Sequence, residues 1–136
     1  GPDGEKRSKS KNNVIDIFLD DKALKKQIMS IKTDSTPMES PKDWSRCNCF
    51  ALYEILASDD QVNLMKINYS NGNYGYGHAK QALYELVMTK FSKQRELYSY
   101  YMSNPDEIDK ILAIGAEKAT TIANNVLSRV KSKLGY

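Results

Sequence analysis

Pro105-Asp106-Glu107-Ile108-Asp109-Lys110-Ile111-Leu112-Ala113-Ile114-Gly115-Ala116-Glu117-Lys118-Ala119 opens the stretch that decides the fold, and the pattern runs on to Leu134. Ile108, Ile111, Leu112, Gly115, Ala119, Ile122, Ala123, Val126, Leu127, Val130 and Leu134 recur at the three- and four-residue steps of a helix with one apolar face. Proline suits a first helical position, and Asp106 and Glu107 stand where the helix dipole favours carboxylates. Gly115 falls in phase with the stripe, so it reads as a point of close helix packing. Arg129, Lys131 and Lys133 crowd the last turns, where the dipole favours cations. The spacing predicts one long helix from 105.

The segment before it is also helical in period. Ala79, Ala82, Leu83, Leu86, Val87, Phe91, Tyr98, Tyr101 and Met102 recur on one face, with Lys80, Glu85, Lys90, Lys93 and Glu96 largely on others. That predicts a single helix of about twenty-five residues, roughly 37 Å long. Shorter helices are expected upstream. One covers 21–32, capped by Asp20 or Asp21, with Ala23, Leu24, Ile28 and Ile31 as its stripe. A second covers about 49–57, capped by Asn48. Ser58 and Gln61 have the spacing of a capping box and open a third, which ends at Asn71-Gly72-Asn73. Val14–Leu19 reads as an extended apolar connector. Residues 33–46, with Pro37 and Pro41 among small polar side chains, read as a long loop, and long structured loops tend to be functional. No strand pair is visible. The expected fold is all-α, a bundle of about five helices behind a basic loop.

A chain of 136 residues, 40% hydrophobic and 27% charged, is about one ordinary globular domain. Its net charge of +3 permits an anionic partner without indicating a nucleic-acid-coating protein. No run of about eighteen apolar residues and no apolar leader core is present, which makes a cytoplasmic address, away from membranes, the expectation. Cys47 and Cys49 are too close for an ordinary disulfide, and His78 is the sole histidine, so two reduced, partly buried thiols and no metal site are expected.

Chemistry has few places to sit. Lys6-Arg7-Ser8-Lys9-Ser10-Lys11-Asn12-Asn13 packs four cations and two hydroxyls into eight residues with nothing apolar to bury. Lysine ammoniums and serine hydroxyls suit a polyanion such as a phosphate chain, and a solvated tail is the plainer reading. Gly72, Gly75 and Gly77 follow no strand and precede no Walker lysine, so they fit a lead-in to a helix better than a phosphate loop. Tyr74 and Tyr76 could pack there or stack on an unpaired base. His78 has no nucleophile or carboxylate placed with it by sequence, and Asp59-Asp60 suits a helix start. The residues alone describe a helical module with one phosphate-seeking loop.

Taken together, the motifs resemble the C-terminal part of the tryptophanyl-tRNA synthetases, a class I family. Lys6-Arg7-Ser8-Lys9-Ser10 is similar to the KMSKS signature and is followed by the usual Asn12-Asn13. Met29-Ser30-Ile31-Lys32-Thr33-Asp34-Ser35, with Pro37, Glu39 and Pro41-Lys42-Asp43, resembles the family's M-x-x-x-T-D-S-x-P-x-E-x-P-K-D stretch. Phe50-Ala51-Leu52-Tyr53, Gly75-Tyr76-Gly77 with Ala79-Lys80, and Gly115-Ala116-Glu117-Lys118-Ala119 keep the family's order. The resemblance spans essentially the whole chain. Arg7 departs from the usual Met, and nothing resembles the H-I-G-H signature, the nucleotide-binding sheet or the tryptophan pocket.

The resemblance implies a C-terminal fragment: a KMSKS-type loop and connector over 1–19, then a helical, anticodon-side domain over 20–136, with the N-terminal catalytic domain missing. It implies an enzyme, generally a homodimer, that uses ATP and Mg²⁺ to activate tryptophan and transfers it to tRNA(Trp). The fragment is expected to be inactive alone. Lys9 would be the main ATP-phosphate contact and Lys6 the auxiliary, with Ser8 and Ser10 shaping an ATP-binding loop. Arg129, Lys131 and Lys133 are tRNA-contact candidates by charge alone. The alternatives are a free-standing helical RNA- or protein-binding module derived from a synthetase, and a purely structural bundle with a basic tail.

Overall fold

The structure, a computed structural model, describes residues 1–6, 8 and 13–135. The described residues form six α-helices and a short 3₁₀ turn, and no strand: α1 (Asp21–Met29), the turn (Trp44–Arg46), α2 (Asn48–Leu56), α3 (Asp59–Asn71), α4 (Tyr76–Lys90), α5 (Ser92–Ser103) and α6 (Pro105–Leu134). The all-α expectation holds, with six helices in place of about five. None of the helices is long and apolar enough to cross a membrane. The chain divides into two compact units, residues 1–95 and 96–136, the boundary falling inside α5.

In the first unit α4 packs against α1 and α2. Ala79, Leu83 and Val87, one helical turn apart, form its buried face. They meet Leu24 and Ile28 of α1, Cys49, Phe50 and Tyr53 of α2, and Val62, Met65 and Tyr69 of α3 in one core. Trp44, Phe50 and Tyr69 make an aromatic chain, with centroids 5.4 and 5.9 Å apart in tilted and edge-on contacts. The Tyr69 hydroxyl lies 3.3 Å from Cys47 Sγ.

Helix ends follow local chemistry with some corrections. Asp20 Oδ1 accepts from the Ala23 N–H at 2.9 Å. The Ser58–Gln61 capping box forms as its spacing predicts. α1 stops at Met29, short of 32, where Lys80 Nζ captures the Met29 carbonyl at 3.0 Å. Asn48 does not cap α2. It lies in the first turn, and its amide donates to the Lys32 carbonyl at 3.3 Å. His78 Nδ1 accepts from the Gly75 N–H at 3.2 Å, a structural part at the start of α4.

The expected twenty-five-residue helix is two helices. Phe91 leaves helical geometry at φ −107°, ψ 14° and is half-buried against the core. Thr89 turns its hydroxyl back onto the Glu85 carbonyl, a competing bond that bends helices. Beyond the break, Arg95 reaches the carbonyls of Ile17 and Leu19 and pairs with Asp21 at 2.6 Å. Tertiary capture of one arginine thus outweighs uninterrupted period.

In α6 no residue is buried. Ile111, Leu112, Ile122 and Leu134 are each more than half exposed. Among the described residues nothing lies within 4 Å of where a Gly115 side chain would stand, in place of the close packing expected there.

Burial pushes the Cys49 thiol from 9.0 to about 12 and the Tyr74 hydroxyl from 10.0 to about 12. Burial, helped by the Cys47 contact, also raises Tyr69. The folded chain holds these protons more tightly than the unfolded chain. Their contribution is therefore complete below the unfolded pKa values and is lost as pH rises toward the folded ones. Melting followed by circular dichroism should show a midpoint falling from about pH 9 upward. Cys49→Ala should make the first part of that fall shallower. A midpoint flat from pH 8 to 11 would contradict this core.

Candidate functional site

Among the described residues two polar side chains are buried, Asn13 and Lys42, at 6% and 5% exposure. Each organises a loop. Burying polar groups is costly unless their bonds are complete, so such residues mark places where the backbone must be held.

Asn13 ties the base of the basic loop. Its Oδ1 accepts from the Ser8 N–H at 2.8 Å, and its Nδ2 donates to the Lys6 carbonyl at 3.2 Å and to Asp3 at 3.0 Å. The Asn13 bond is the main reason that the Asp3 carboxyl sits below its ordinary pKa. Lys6 is exposed and Ser8 half-buried beside this knot. Lys9 and Ser10 lie outside the described residues. Lys6 and Ser8 are therefore held at the entrance of the loop by a residue to which the sequence reading gave no role.

Asp3, Lys32, Thr33, Asp34, Arg46, Cys47, Asn48 and Tyr76 line a cleft of about 320 Å³. Four separated stretches converge here: the N-terminal segment at Asp3, the Lys32-Thr33-Asp34 loop, Arg46-Cys47-Asn48 at the start of α2, and Tyr76 at the start of α4. The Lys32 N–H donates to the Pro2 carbonyl at 3.1 Å, which seats the N-terminal segment against the loop. Tyr76 donates its hydroxyl to Asp34 Oδ1 at 2.7 Å, and the Thr36 N–H donates to the same oxygen at 2.8 Å. Hydrogen bonds from Thr36, then Tyr76, hold the Asp34 carboxyl below its ordinary pKa. Burial first, and the Asp34 bond second, push Tyr76 to about 12. At neutral pH the pair is thus a carboxylate accepting from a neutral phenol.

The cleft has two exposed cations, Lys32 and Arg46, for phosphate. Beside them stand two carboxylates (Asp3 and Asp34), an amide (Asn48) and a hydroxyl (Thr33), groups that can meet the edges of an unpaired base. Its described lining includes no histidine. The tyrosines settle differently from a stacking platform: Tyr74 packs on Tyr69 and His78, and Tyr76 meets Tyr69 edge-on at 6.1 Å.

Lys42 lies beneath this wall. Its Nζ donates to the carbonyls of Pro37, Met38 and Ser40 at 2.9, 3.1 and 3.1 Å, gathering the 37–40 turn around one ammonium. That turn presses on Gly72, whose φ of +73° and contact with the Glu39 carbonyl leave no room for a side chain.

In α6, Arg129 and Lys133 share a depression of about 280 Å³ with Val126 and Val130, and Lys131 does not line it. Sequence charge alone singled out these three. It passed over Lys32, Arg46 and Asn48, although the T-D-S stretch beside them was a usable signal.

No protein-family model matches the chain. Curated relatives do. The tryptophan–tRNA ligase of Campylobacter jejuni (strain RM1221) is 43% identical over 135 residues, which is 99% of this chain and 42% of that protein. The ligase of Fusobacterium nucleatum subsp. nucleatum is 40% identical over 99% of this chain and 41% of its own length. Among solved structures, the Campylobacter jejuni tryptophanyl-tRNA synthetase complexed with ADP and tryptophan superimposes with a TM-score of 0.96 at 43% identity. That match covers 100% of this chain and 43% of the neighbour. The chain spans about two-fifths of the length of the relatives that it matches.

Proposed function

We propose, from the chain's membership of the tryptophanyl-tRNA synthetase family, that it is the ATP-loop and tRNA-contacting portion of a tryptophan–tRNA ligase. The full enzyme would activate tryptophan with ATP and Mg²⁺ as substrates, release pyrophosphate, and pass the acyl group to tRNA(Trp). It would act as a cytoplasmic homodimer. The chain by itself would be inactive, because the amino-acid pocket belongs to a catalytic domain that it does not contain.

The observation that carries this reading is the identity of 43% over 135 residues; the resemblance of the signature loop, the T-D-S stretch and Gly75-Tyr76-Gly77 to the family's motifs agrees with it. Lys9 would hold the ATP phosphates with Lys6 as auxiliary, and Ser8 and Ser10 would shape the loop. Phosphoryl displacement needs charge placed on the leaving pyrophosphate more than it needs covalent chemistry. Asn13 supports the assignment by fixing the entrance of that loop.

For tRNA, the cleft of Lys32 and Arg46 is a better-built contact than the charge of Arg129, Lys131 and Lys133, because it places base-edge partners beside its cations. Lys32→Ala and Arg46→Ala should each weaken tRNA(Trp) binding and flatten the slope of log affinity against log salt by about 0.7–0.9. If only the Arg129, Lys131 and Lys133 variants do so, the contact lies on α6. The activity itself is tested by tryptophan-dependent ATP–pyrophosphate exchange in the longer synthetase containing this chain. Absence of exchange there would favour a free-standing RNA- or protein-binding module.

A further inference from the structure

We infer that Lys42 is a positioning residue of the Lys32–Arg46 cleft, fixing the cleft's wall from beneath without touching RNA. This rests on the reading of that cleft as a tRNA contact.

Lys42 is 5% exposed, and its three ammonium donors are matched by three carbonyls of one turn. Its backbone N–H donates to the Tyr69 carbonyl at 2.8 Å, anchoring the turn to the end of α3. The ammonium also stands over the Tyr76 ring, 5.5 Å from its centroid. Tyr76 is therefore held twice, by its hydroxyl on Asp34 and by a cation against its ring. Asp34 and Tyr76 both line the cleft.

The choice of lysine is informative. Burying a cation is unfavourable unless it is fully bonded, and a turn of this length needs no cation to close. A compact ammonium can point three donors at carbonyls arranged around it, whereas the planar guanidinium of arginine presents a fork. With its charge enclosed, Lys42 faces no phosphate and releases no counterion when RNA binds. Its removal should shift the recognising groups, and misplacement on the ångström scale is enough to cost binding. A phosphate-contacting cation would behave differently, since its loss lowers the salt slope.

The test is fluorescence anisotropy of the longer synthetase containing this chain with a labelled tRNA(Trp) transcript across 50–200 mM salt. The parent is compared with Lys42→Met, Lys42→Arg, Lys32→Ala and Arg46→Ala, and circular dichroism checks folding. Lys42→Met, which keeps the stem and removes the donors, should bind more weakly by on the order of tenfold with the parental salt slope. Lys42→Arg should do the same despite keeping the charge. Parental affinity in folded Lys42→Met, or a slope reduced as in Arg46→Ala, overturns the inference. Parental affinity in Lys42→Arg overturns the three-carbonyl argument, and if Lys42→Met does not fold, Lys42→Arg decides alone. If Lys32→Ala and Arg46→Ala leave affinity and slope untouched, the cleft is not the contact and the inference falls with it, a result separate from failure at Lys42 alone.

Discussion

Replacing Lys9 with alanine in the longer synthetase is expected to slow tryptophanyl-adenylate formation by about 10²–10³-fold, roughly 3–4 kcal/mol of transition-state stabilisation. The leaving pyrophosphate gathers negative charge as the carboxylate of tryptophan attacks the α-phosphate. Under the proposed function, the Lys9 ammonium would meet that charge as it appears, so its effect would fall on the chemical step. Lys6, at the held end of the loop beside Asn13, should matter less than Lys9. The measurement is the burst of enzyme-bound adenylate under single-turnover conditions, with tryptophan affinity as the control. An undiminished burst would remove Lys9 from the reaction and return the basic stretch to the status of a tail.

The second large effect concerns stability. Phe50→Ala should destabilise the first unit by about 3–5 kcal/mol, since it deletes a fully enclosed ring and leaves a cavity that the neighbours cannot fill. The Phe50 ring is 2% exposed and lies between Trp44 and Tyr69. It links the aromatic chain to the helices that position the cleft. Against a total stability of about 5–15 kcal/mol, that loss is large. Ile55, on the same helix and 72% exposed, is the control: Ile55→Ala should change stability by only about 0.5 kcal/mol. Urea unfolding of the two variants separates the cases, and equal losses would mean that the core is misplaced.

Elements and their type were legible from local chemistry. The apolar period of α6, the Ser58–Gln61 capping box, the Asp20 cap and the 105 start appear in the structure where the residues place them. The ordered motifs also resembled one family before any fold was known, because the residues that carry the resemblance are written consecutively. Such features depend on neighbours within a turn or two, and a linear reading reaches that far.

What only the tertiary structure decided depends on residues far apart in the chain. Tyr76 and Asp34 are 42 positions apart, and no period links them, yet their bond builds a wall of the cleft. Lys42 and Asn13 stood in the sequence only as members of motifs, and their burial emerged with the fold, because burial is a property of what packs over them. Phe91 lies in phase with an unbroken helix, and the break accompanies contacts that no period records, its own packing on the core and Arg95 reaching carbonyls nearly eighty residues upstream. The apolar stripe of α6 shows the converse: period establishes that a face is amphipathic, and whether anything covers it is settled in three dimensions.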